Sequence, residues 1–358
     1  MEMKLLNSVK QNITDFKAME KEDKRRWWGE FFINNSLYIF LILAIIFIAI
    51  SNPLFLSTKS IINIISLSAA NLPIALGIAG AIILTGTDLS AGRVVGLTAC
   101  IAASLLQMAD YANKMFPNIG TVPVVFVIVL VLGVGALVGA VNGFCTAKFN
   151  LHPFIVTLST QLIVFGFLLM YLTLGNNNGQ SISGLDPAFS ALITGSVISI
   201  GGAPIPNFVW YALVITVVMW FIWNKTTFGK NMFAVGSNPD AAKVSGVNVA
   251  LTIILVFTLA GAMYGVTGFI EAARIGSNTA NTGLNYELDA IAACVIGGVS
   301  FVGGIGKIRG VIMGVVLLRI IFVGLTFMSV SQNWQYIIKG LIILVACAID
   351  MRKYLVKK

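Results

Sequence analysis

Long runs of apolar residues alternate with short polar connections along most of the chain. A helix needs about 20 consecutive apolar residues to cross a bilayer, because each residue adds about 1.5 Å and the hydrocarbon core is about 30 Å thick. We count ten such runs and interpret each as a membrane span. They lie near residues 32–50, 61–85, 93–109, 122–147, 154–174, 208–223, 250–270, 288–302, 310–328 and 335–350. Several runs are shorter than this length, so we expect bent spans that neighbouring helices shield from lipid.

One weaker segment, Phe189–Ile200, decides the topology, because every later span would reverse its direction if this segment crossed the membrane. Lysine and arginine are enriched in cytoplasmic loops. With ten spans and a cytoplasmic N-terminus, 18 of these residues fall in cytoplasmic loops, Arg93 among them, and 3 fall in outer loops. With eleven spans the split is 10 and 11. We therefore predict that Phe189–Ile200 stays at the outer face, and that both termini and residues 224–249 are cytoplasmic.

Composition agrees with a membrane protein: 58% of the residues are hydrophobic, 10% are charged and the mean hydropathy is +0.92. A soluble domain carries about a quarter charged residues. The formal net charge of +9 could suit a nucleic-acid partner, but the basic residues lie in short loops between apolar runs, which membrane topology explains, so we discount nucleic acid. The predicted fold class is an all-α polytopic membrane protein with about ten spans. It comprises a cytoplasmic segment at 1–31, a transmembrane domain at 32–351 and a basic cytoplasmic tail at 352–358.

The longest polar interruption, Asn224–Val249, contains a short helix with its own start and stop signals. Asn238 is a good N-cap, Pro239 fits the first helical position, and Asp240 places a negative charge near the positive end of the helix dipole. Gly246 suits a left-handed residue just past the helix end. The pattern predicts about two turns of helix between these signals, which is too short to cross a bilayer or to be stable alone.

Such a helix needs a surface to dock on. The small side chains of Ala241 and Ala242 allow close approach to a partner, and Val244 and Val247 offer apolar contact three residues apart. Ser245 is the last residue of the predicted helix. The alternative is a loop helix that packs only under its own membrane bundle.

Small residues recur at four-residue spacing in several spans, a pattern that lets helix backbones approach closely. The rows are Gly135, Gly139 and Gly143, then Gly261 with Gly265, and Gly310 with Gly314. Ordinary packing within the bundle explains them.

Two regions suggest broken helices. Asn71 and Pro73 lie in the middle of the second run, and Gly297 and Gly298 begin a glycine-rich stretch that continues to Gly306. Discontinuous helices often line the translocation path in transporters. We therefore treat Asn71, Gly297 and Gly298 as candidates for a path or gate.

Ionisable residues in or beside the apolar runs are few: Asp88, Glu287, Asp289, Arg319 and Lys339. A charge in lipid costs several kcal/mol, so each is a candidate for a path or gating role. Helix capping is the alternative, because Asp88 or Ser90 could cap the third span and the other two carboxylates begin the eighth. The single histidine, His152, precedes a proline in a turn and is expected to cap it.

We find no catalytic constellation and no cofactor motif. The GGIGKI stretch fails the phosphate-loop pattern twice, since Phe301 and Ile308 occupy the positions of a required glycine and a required Ser or Thr. The cysteines lie inside apolar runs without CxxC spacing, which indicates neither a disulfide framework nor a metal site. They are Cys100, Cys145, Cys294 and Cys347.

Five stretches together carry a resemblance to a known family. They are GTDLSAGR (86–93), ANKMFP (112–117), NKTTFGKNMFAVGSNPDAAKVSGVNV (224–249), EAARIGSNTANTGLNYELDAIAACVIGGVSF (271–301) and NWQYIIKG (333–340). The chain resembles the ribose-type sugar permease family of ABC importers over nearly its whole length. TGTDLSAGR and YELDAIAACV resemble the galactose branch of that family, whereas SNPDAAKVSG and IGGVSFVGG are typical of the family as a whole.

The resemblance implies a permease homodimer in a bacterial inner membrane, which takes up galactose, methyl galactoside or a related monosaccharide. It implies an ATPase subunit with two nucleotide-binding domains on the cytoplasmic side and an extracytoplasmic sugar-binding protein on the other. Residues Asn238–Gly246 would then form the coupling helix in a groove of the ATPase. The loops at 175–207 and 271–289 would receive the binding protein.

Three alternatives remain open from the residues. The first is a permease of the same family for another sugar such as ribose. The second is an ion-coupled secondary transporter, which would be expected to bury a coupling carboxylate near mid-membrane. The third is a membrane enzyme, which needs an assembled polar site that the sequence does not reveal.

Overall fold

The computed structural model describes residues 36–355 together with Asp23, Lys24 and Trp28. The predicted cytoplasmic segment 1–31 therefore lies almost entirely outside the described residues. The chain divides into two units, Met1–Pro53 and Leu54–Lys358. Helix α1 (Ser36–Ser51) belongs to the first, and a 3-10 helix covers Pro53–Leu56.

Twelve α-helices and one β-hairpin make up the rest of the described chain. The helices are α2 (Thr58–Ile83), α3 (Ala91–Leu105), α4 (Val124–Phe149), α5 (Pro153–Leu172), α6 (Pro187–Thr194), α7 (Asn207–Lys225), α8 (Thr227–Ser237), α9 (Pro239–Val244), α10 (Val249–Ile275), α11 (Tyr286–Ile296), α12 (Ile308–Phe327) and α13 (Gln332–Leu355). The strands are β1 (Ser196–Ile200) and β2 (Ala203–Pro206). Helix α13 continues through the start of the predicted tail at 352–358.

Among the described helices, six are long and apolar enough to cross a membrane: α2, α4, α5, α7, α10 and α12. The protein is therefore a polytopic membrane protein built from helices. Each of the ten predicted runs overlaps a helix, but α3 has 15 residues and α11 has 11, which is about 22 Å and about 16 Å of helix. These two are shorter than a hydrocarbon core, and packing against other helices must shield their ends.

Residues 196–206 form a hairpin, so the all-α description from the sequence is incomplete. Ile200 pairs with Ala203 across the antiparallel ladder, and Gly201 and Gly202 connect the strands with φ of +58° and +76°. A two-residue hairpin turn of type I′ requires positive φ at both central positions, which glycine supplies without strain. The doubtful segment Phe189–Ile200 thus becomes part of an eight-residue helix and an exposed strand. An eight-residue helix is about 12 Å long and cannot span a bilayer.

Helices α4 and α10 pack with their backbones in contact, and their glycines explain why. A Cβ atom on Gly135 or Gly139 would collide with the backbone carbonyl of Gly261 or Phe257 on α10, and one on Gly265 would collide with Val131 of α4. The two backbones therefore touch without side chains between them. The predicted small-residue rows are confirmed as packing devices, and helix α10 also packs against α2 and α3 in the centre of the bundle.

Helix α2 runs unbroken through Pro73, so the predicted break at Asn71–Pro73 is wrong. Proline removes one backbone donor and normally kinks a helix interior. Every residue from Ala69 to Ile83 is buried, and this packing outweighs the local loss.

The break lies instead ahead of α11. Residues 276–285 are non-helical and run beside α3: the thiol of Cys100 lies 3.8 Å from the carbonyl oxygen of Thr279, and Gly96 contacts the carbonyl of Thr282. The chain becomes helical only at Tyr286. The predicted eighth span, 288–302, is helical only to Ile296, and the predicted glycine-rich break is confirmed as the connection from α11 to α12.

Arg93 is misplaced in the predicted topology. It lies in the first turn of α3, and its Nη1 donates a hydrogen bond of 3.0 Å to the carbonyl of Ala280. Ala280 belongs to a connection that we predicted at the outer face, whereas Arg93 was predicted in a cytoplasmic loop. Residues 276–285 run beside α3 and bring the two together, so Arg93 does not count as evidence for either side of the membrane.

Candidate functional site

Helices α8 and α9 follow one another in the polar stretch between α7 and α10. The hydroxyl of Thr226 accepts the amide of Gly229 at 3.2 Å and caps α8. The side chain of Asn238 accepts the amide of Ala241 at 3.0 Å and caps α9. The sequence predicted α9 and its cap but missed α8. The buried pair Met232 and Val235, three residues apart, is the signal that could have revealed it.

The end of α9 also matches its prediction. The amide of Val247 donates to the carbonyl of Ala242 at 3.0 Å and the amide of Gly246 donates to Lys243 at 3.0 Å, with Gly246 at φ +84°. This bonding pattern closes a helix with a left-handed residue and satisfies its last carbonyls. The helix ends at Val244, so Ser245 lies just beyond it.

The two faces of α9 differ sharply. Ala242 is 4% exposed and packs in the bundle core, whereas Val244 is 90% exposed. Asp240 and Val244 are four residues apart and lie on the side opposite Ala242. Our prediction that Ala242 faces a partner is therefore wrong. The exposed residues of this short segment are Asn238, Pro239, Asp240, Ala241, Lys243, Val244, Ser245 and Gly246.

Asp88 lies in the connection between α2 and α3 and is fully buried. Its Oδ1 accepts hydrogen bonds from the Ser90 amide at 2.9 Å and the Ser90 hydroxyl at 2.6 Å. Its Oδ2 accepts the hydroxyl of Tyr264, on α10, at 3.1 Å. The carboxyl thus binds the start of α3 and clamps it to the central helix.

Ser90 extends this network to two more helices. Asn142 of α4 donates to the Ser90 hydroxyl at 3.0 Å, and Thr160 of α5 donates to Asn142 at 2.6 Å. A buried polar network that is satisfied in this way holds its helices in one arrangement. The sequence did not reveal Asn142 and Tyr264, because they lie 52 and 176 residues from their partners Ser90 and Asp88. It did not reveal Thr160 because this residue joins the network only through Asn142.

Asp289 joins three helices through two cations. Arg319 of α12 lies 3.3 Å from Oδ2, and Lys339 of α13 lies 2.6 Å from Oδ1 as an ion pair without hydrogen-bond alignment. The Asp289 side chain is 12% exposed. Burial of a carboxylate in a membrane bundle needs such partners, and the cluster keeps one excess positive charge.

A small cavity of about 10 Å³ adjoins this ionic cluster and is lined in part by Asn71, Asp289 and Arg319. That volume suffices for roughly one water molecule. Asn71 is 6% exposed, and within the described part of the chain its Oδ1 has no hydrogen-bond donor. Its Nδ2 donates to Leu67 at 2.9 Å.

The other candidates on α11 lie apart from this cavity. Glu287 is 4% exposed, and its carboxylate lies against Gly92 in the first turn of α3. Gly297 ends α11 and contacts the backbone of Gly310 on α12. Gly298 has φ +83° with open space beside it. The starts of the short helices α3 and α11 therefore meet at Glu287.

One ion pair near the end of α10 was missed. Arg274 binds both carboxylate oxygens of Glu271, at 2.8 Å and 2.6 Å, and the hydroxyl of Tyr286 donates to the same carboxylate at 3.1 Å. Glu271 is fully buried. The EAAR spacing, with opposite charges three residues apart on a helix, is the signal that could have indicated this pair.

Comparison with known proteins adds the following similarities. A family described as "Branched-chain amino acid transport system / permease component" matches residues 60–347. The galactose/methyl galactoside import permease protein MglC of Salmonella typhimurium is 47% identical over 341 residues, covering 95% of this chain and 99% of that protein. The protein of the same name from Escherichia coli is 48% identical over 323 residues, covering 90% and 95%. The ribose import permease protein RbsC of Haemophilus influenzae is 33% identical over 332 residues, covering 93% and 97%. No solved structure matches the chain.

Proposed function

We propose, from the premise that this chain belongs to the family of branched-chain amino acid transport system permease components, that it is the permease subunit of an ABC importer for galactose and methyl galactosides. It is a transport subunit and not an enzyme. Its sequence is 46 to 48% identical to three galactose permeases and 31 to 33% identical to three ribose permeases. This difference favours galactose over ribose as the sugar.

The observation that carries the proposed mechanism is the exposed face of α9. A capped helix of six residues presents Val244, 90% exposed, next to Asp240, while its opposite face is fixed to the bundle through Ala242. An exposed apolar side chain on a held helix suits the centre of a protein interface. We assign this face to the ATPase subunit, whose two nucleotide-binding domains would each receive α9 from one copy of a permease homodimer.

The topology that we propose keeps ten spans, with α8, α9 and both termini in the cytoplasm. Without Arg93, 17 lysines and arginines still fall in the cytoplasmic loops against 3 in the outer loops. Arg274 and the hairpin of β1 and β2 would then lie at the outer face. The loops at 175–207 and 271–289 would receive the sugar-binding protein there.

We assign the sugar pathway to the polar groups beside α11. Asn71 offers an amide oxygen that accepts no hydrogen bond from the described residues, and the Asp289, Arg319 and Lys339 cluster offers donors and an acceptor. Such groups bind sugar hydroxyls. Glu287, Gly297 and Gly298 border the same short helix. The ionic cluster would set how α11, α12 and α13 separate during transport.

One observation favours a second candidate, an ion-coupled transporter. Asp88 is a fully buried carboxyl in contact with the central helix α10, as a coupling carboxylate would be. Its two oxygens are already bonded to Ser90 and Tyr264, which favours a structural role.

A reconstitution experiment decides between these candidates. The permease, its ATPase and a galactose-binding protein are placed in proteoliposomes with ATP on the ATPase side. We expect galactose uptake that requires ATP and continues when a protonophore collapses the proton gradient. Uptake that stops with the gradient while ATP is maintained supports the ion-coupled candidate. Faster uptake with a ribose-binding protein would reassign the sugar.

A further inference from the structure

The connection from α11 to α12, residues 297–306, lies in direct contact with the ends of α2 and α8. The amide of Gly304 donates to the carbonyl of Ile83 at 2.9 Å. A Cβ atom on Gly304 would collide with Ser237, and one on Gly303 would collide with the carbonyl of Gly236. Gly303 thus touches the backbone of Gly236, and Gly304 touches the side chain and backbone of Ser237.

Gly236 sits on the other side of the same contact. A Cβ atom there would collide with the carbonyl of Ile83 and would lie 2.8 Å from the amide nitrogen of Gly304. Ser237 directly precedes Asn238, the residue that caps α9. Because close-packed backbones transmit displacement more directly than flexible side chains, movement of α9 would reach residues 303–304 without rotamer changes to absorb it.

The same connection is tied to the last helix. Asp350 of α13 accepts the hydroxyl of Ser300 at 3.0 Å and the amide of Phe301 at 3.1 Å, and it is 9% exposed. Ser300 in turn donates its amide to the carbonyl of Ile305 at 3.1 Å, which closes the loop on itself. The loop is therefore a compact unit held to α13 through one carboxylate.

Both ends of the loop continue into helices that pack on each other. Gly297 contacts the backbone of Gly310, and Gly314 contacts the carbonyl of Ala293. These are helices α11 and α12, which share the Asp289 ion pairs with α13. A continuous set of backbone contacts and hydrogen bonds thus joins the start of α9 to the three helices around the ionic cluster.

We propose that residues 297–306 form the mechanical link between the ATPase-binding helix and the sugar pathway, with Gly236, Gly303, Gly304 and Asp350 as its positioning residues. This proposal rests on the proposed function, because it requires α9 to be the site where the ATPase acts. The test is a measurement of the coupling between ATP hydrolysis and transport.

Gly236→Ala is the most direct test, since Gly236 lies in helix α8 with helical backbone geometry and alanine adds only the colliding methyl group. Gly133→Ala in helix α4 is the matched control, because a Cβ atom there meets nothing within 4 Å. The measurement uses the complex with ATPase and binding protein in proteoliposomes and records sugar molecules transported per ATP hydrolysed. We expect Gly236→Ala to retain its ATPase and to lower this ratio at least about fivefold, the smaller end of typical allosteric coupling. The control should leave the ratio unchanged.

Two further variants keep the proposal testable if Gly236→Ala fails to fold. Asp350→Asn preserves the size of the side chain and weakens the two hydrogen bonds that hold the loop, so it should lower the ratio while the ATPase stays bound. Gly304→Ala should also lower it, because a Cβ atom there would collide with the side chain and the Cα of Ser237 and because the φ of +67° at this position strains alanine.

An unchanged ratio of transport to hydrolysis in Gly236→Ala, or in Asp350→Asn if the former does not fold, overturns the link. A different result would contradict the proposed function: the ATPase would remain fully bound when the exposed face of α9 is changed.

Discussion

Helices α9 and α11 both begin with acidic residues, but these residues lie in different environments. Each is a short helix with acidic residues in its first turn, Asp240 in α9 and Glu287 with Asp289 in α11. Asp240 is exposed, whereas Glu287 and Asp289 are buried. The helix dipole explains an acid at either site. Burial decides whether the carboxylate also needs cationic partners.

At α9 the exposed carboxylate of Asp240 interacts favourably with the helix dipole and stays hydrated. At α11 the carboxylate of Asp289 is removed from water and depends on Arg319 and Lys339. Breaking a buried pair leaves charges without compensation, whereas an exposed acid near a helix start contributes little. The comparison therefore predicts large effects at α11 on the bundle, and at α9 effects on partner binding that leave the bundle intact.

The largest expected effect is that of Asp289→Asn. The change leaves Arg319 and Lys339 without their shared carboxylate, and loss of one member of a buried pair typically costs about 3–5 kcal/mol. Thermal unfolding of the purified chain in detergent should show the loss, and uptake should fall while ATPase attachment is retained. Unfolding at the parent temperature with normal uptake would mean that the cluster is neither structural nor part of the path.

Val244→Asp comes next and tests the other half of the comparison. A charge at the centre of the docking face should weaken ATPase binding by at least about 2 kcal/mol, roughly thirtyfold, without changing thermal stability. Val197→Asp is the matched control, because Val197 is 83% exposed on β1 and lies outside the α9 face. The check is ATPase co-purification. Equal ATPase recovery from the two variants would show that the exposed face of α9 does not bind the ATPase.

Ala242→Trp separates the two faces of α9. Ala242 packs in the core, so the larger side chain should overpack it and lower stability by about 1–3 kcal/mol. Ala241→Trp, on an exposed neighbour, should leave the unfolding temperature unchanged and reduce ATPase binding instead. The measurements are the unfolding temperature and the ATPase recovery of both variants. Lost stability in Ala241→Trp with lost ATPase binding in Ala242→Trp would exchange the roles of the two alanines.

The smallest effect is expected for Asp240→Asn. Loss of a charge from an exposed first turn costs about 0.3–1 kcal/mol at low salt, and Asn retains hydrogen-bonding capacity. The unfolding temperature should be almost unchanged, and any change should shrink at high salt. A loss as large as that of Asp289→Asn would show that exposure does not distinguish the two helices.

The sequence predicted best what neighbouring residues determine. The Asn238 cap, the left-handed Gly246 and the His152 side chain that accepts the amide of Phe154 at 3.3 Å follow from local rules, and the structure confirms them. The glycine rows of α4 and α10 were also visible, because their spacing reflects the helical period.

What the sequence could not give depends on contacts between distant segments. The inward face of Ala242 was hidden because α9 has fewer than two turns, too few to define an apolar side. Pro73 misled because burial around α2 overrides its local preference. The non-helical course of residues 276–285 follows from contact with α3, and Asp88 meets Tyr264 across 176 positions of the chain. Local patterns carry no signal for these pairings.

Protection of a cysteine introduced at position 244 tests the central claim most directly. Val244→Cys is labelled with an impermeant maleimide in inside-out membrane vesicles stripped of the ATPase, and again after purified ATPase is added back, with the unsubstituted chain as background and Val197→Cys as the control. We predict that residue 244 is labelled in stripped inside-out vesicles, is not labelled in intact cells, and becomes protected when the ATPase binds, while residue 197, at the outer face, shows the opposite sidedness and is labelled in intact cells only. Labelling of residue 244 in intact cells, or labelling that the bound ATPase leaves unchanged, would contradict the assignment of α9 as the coupling helix.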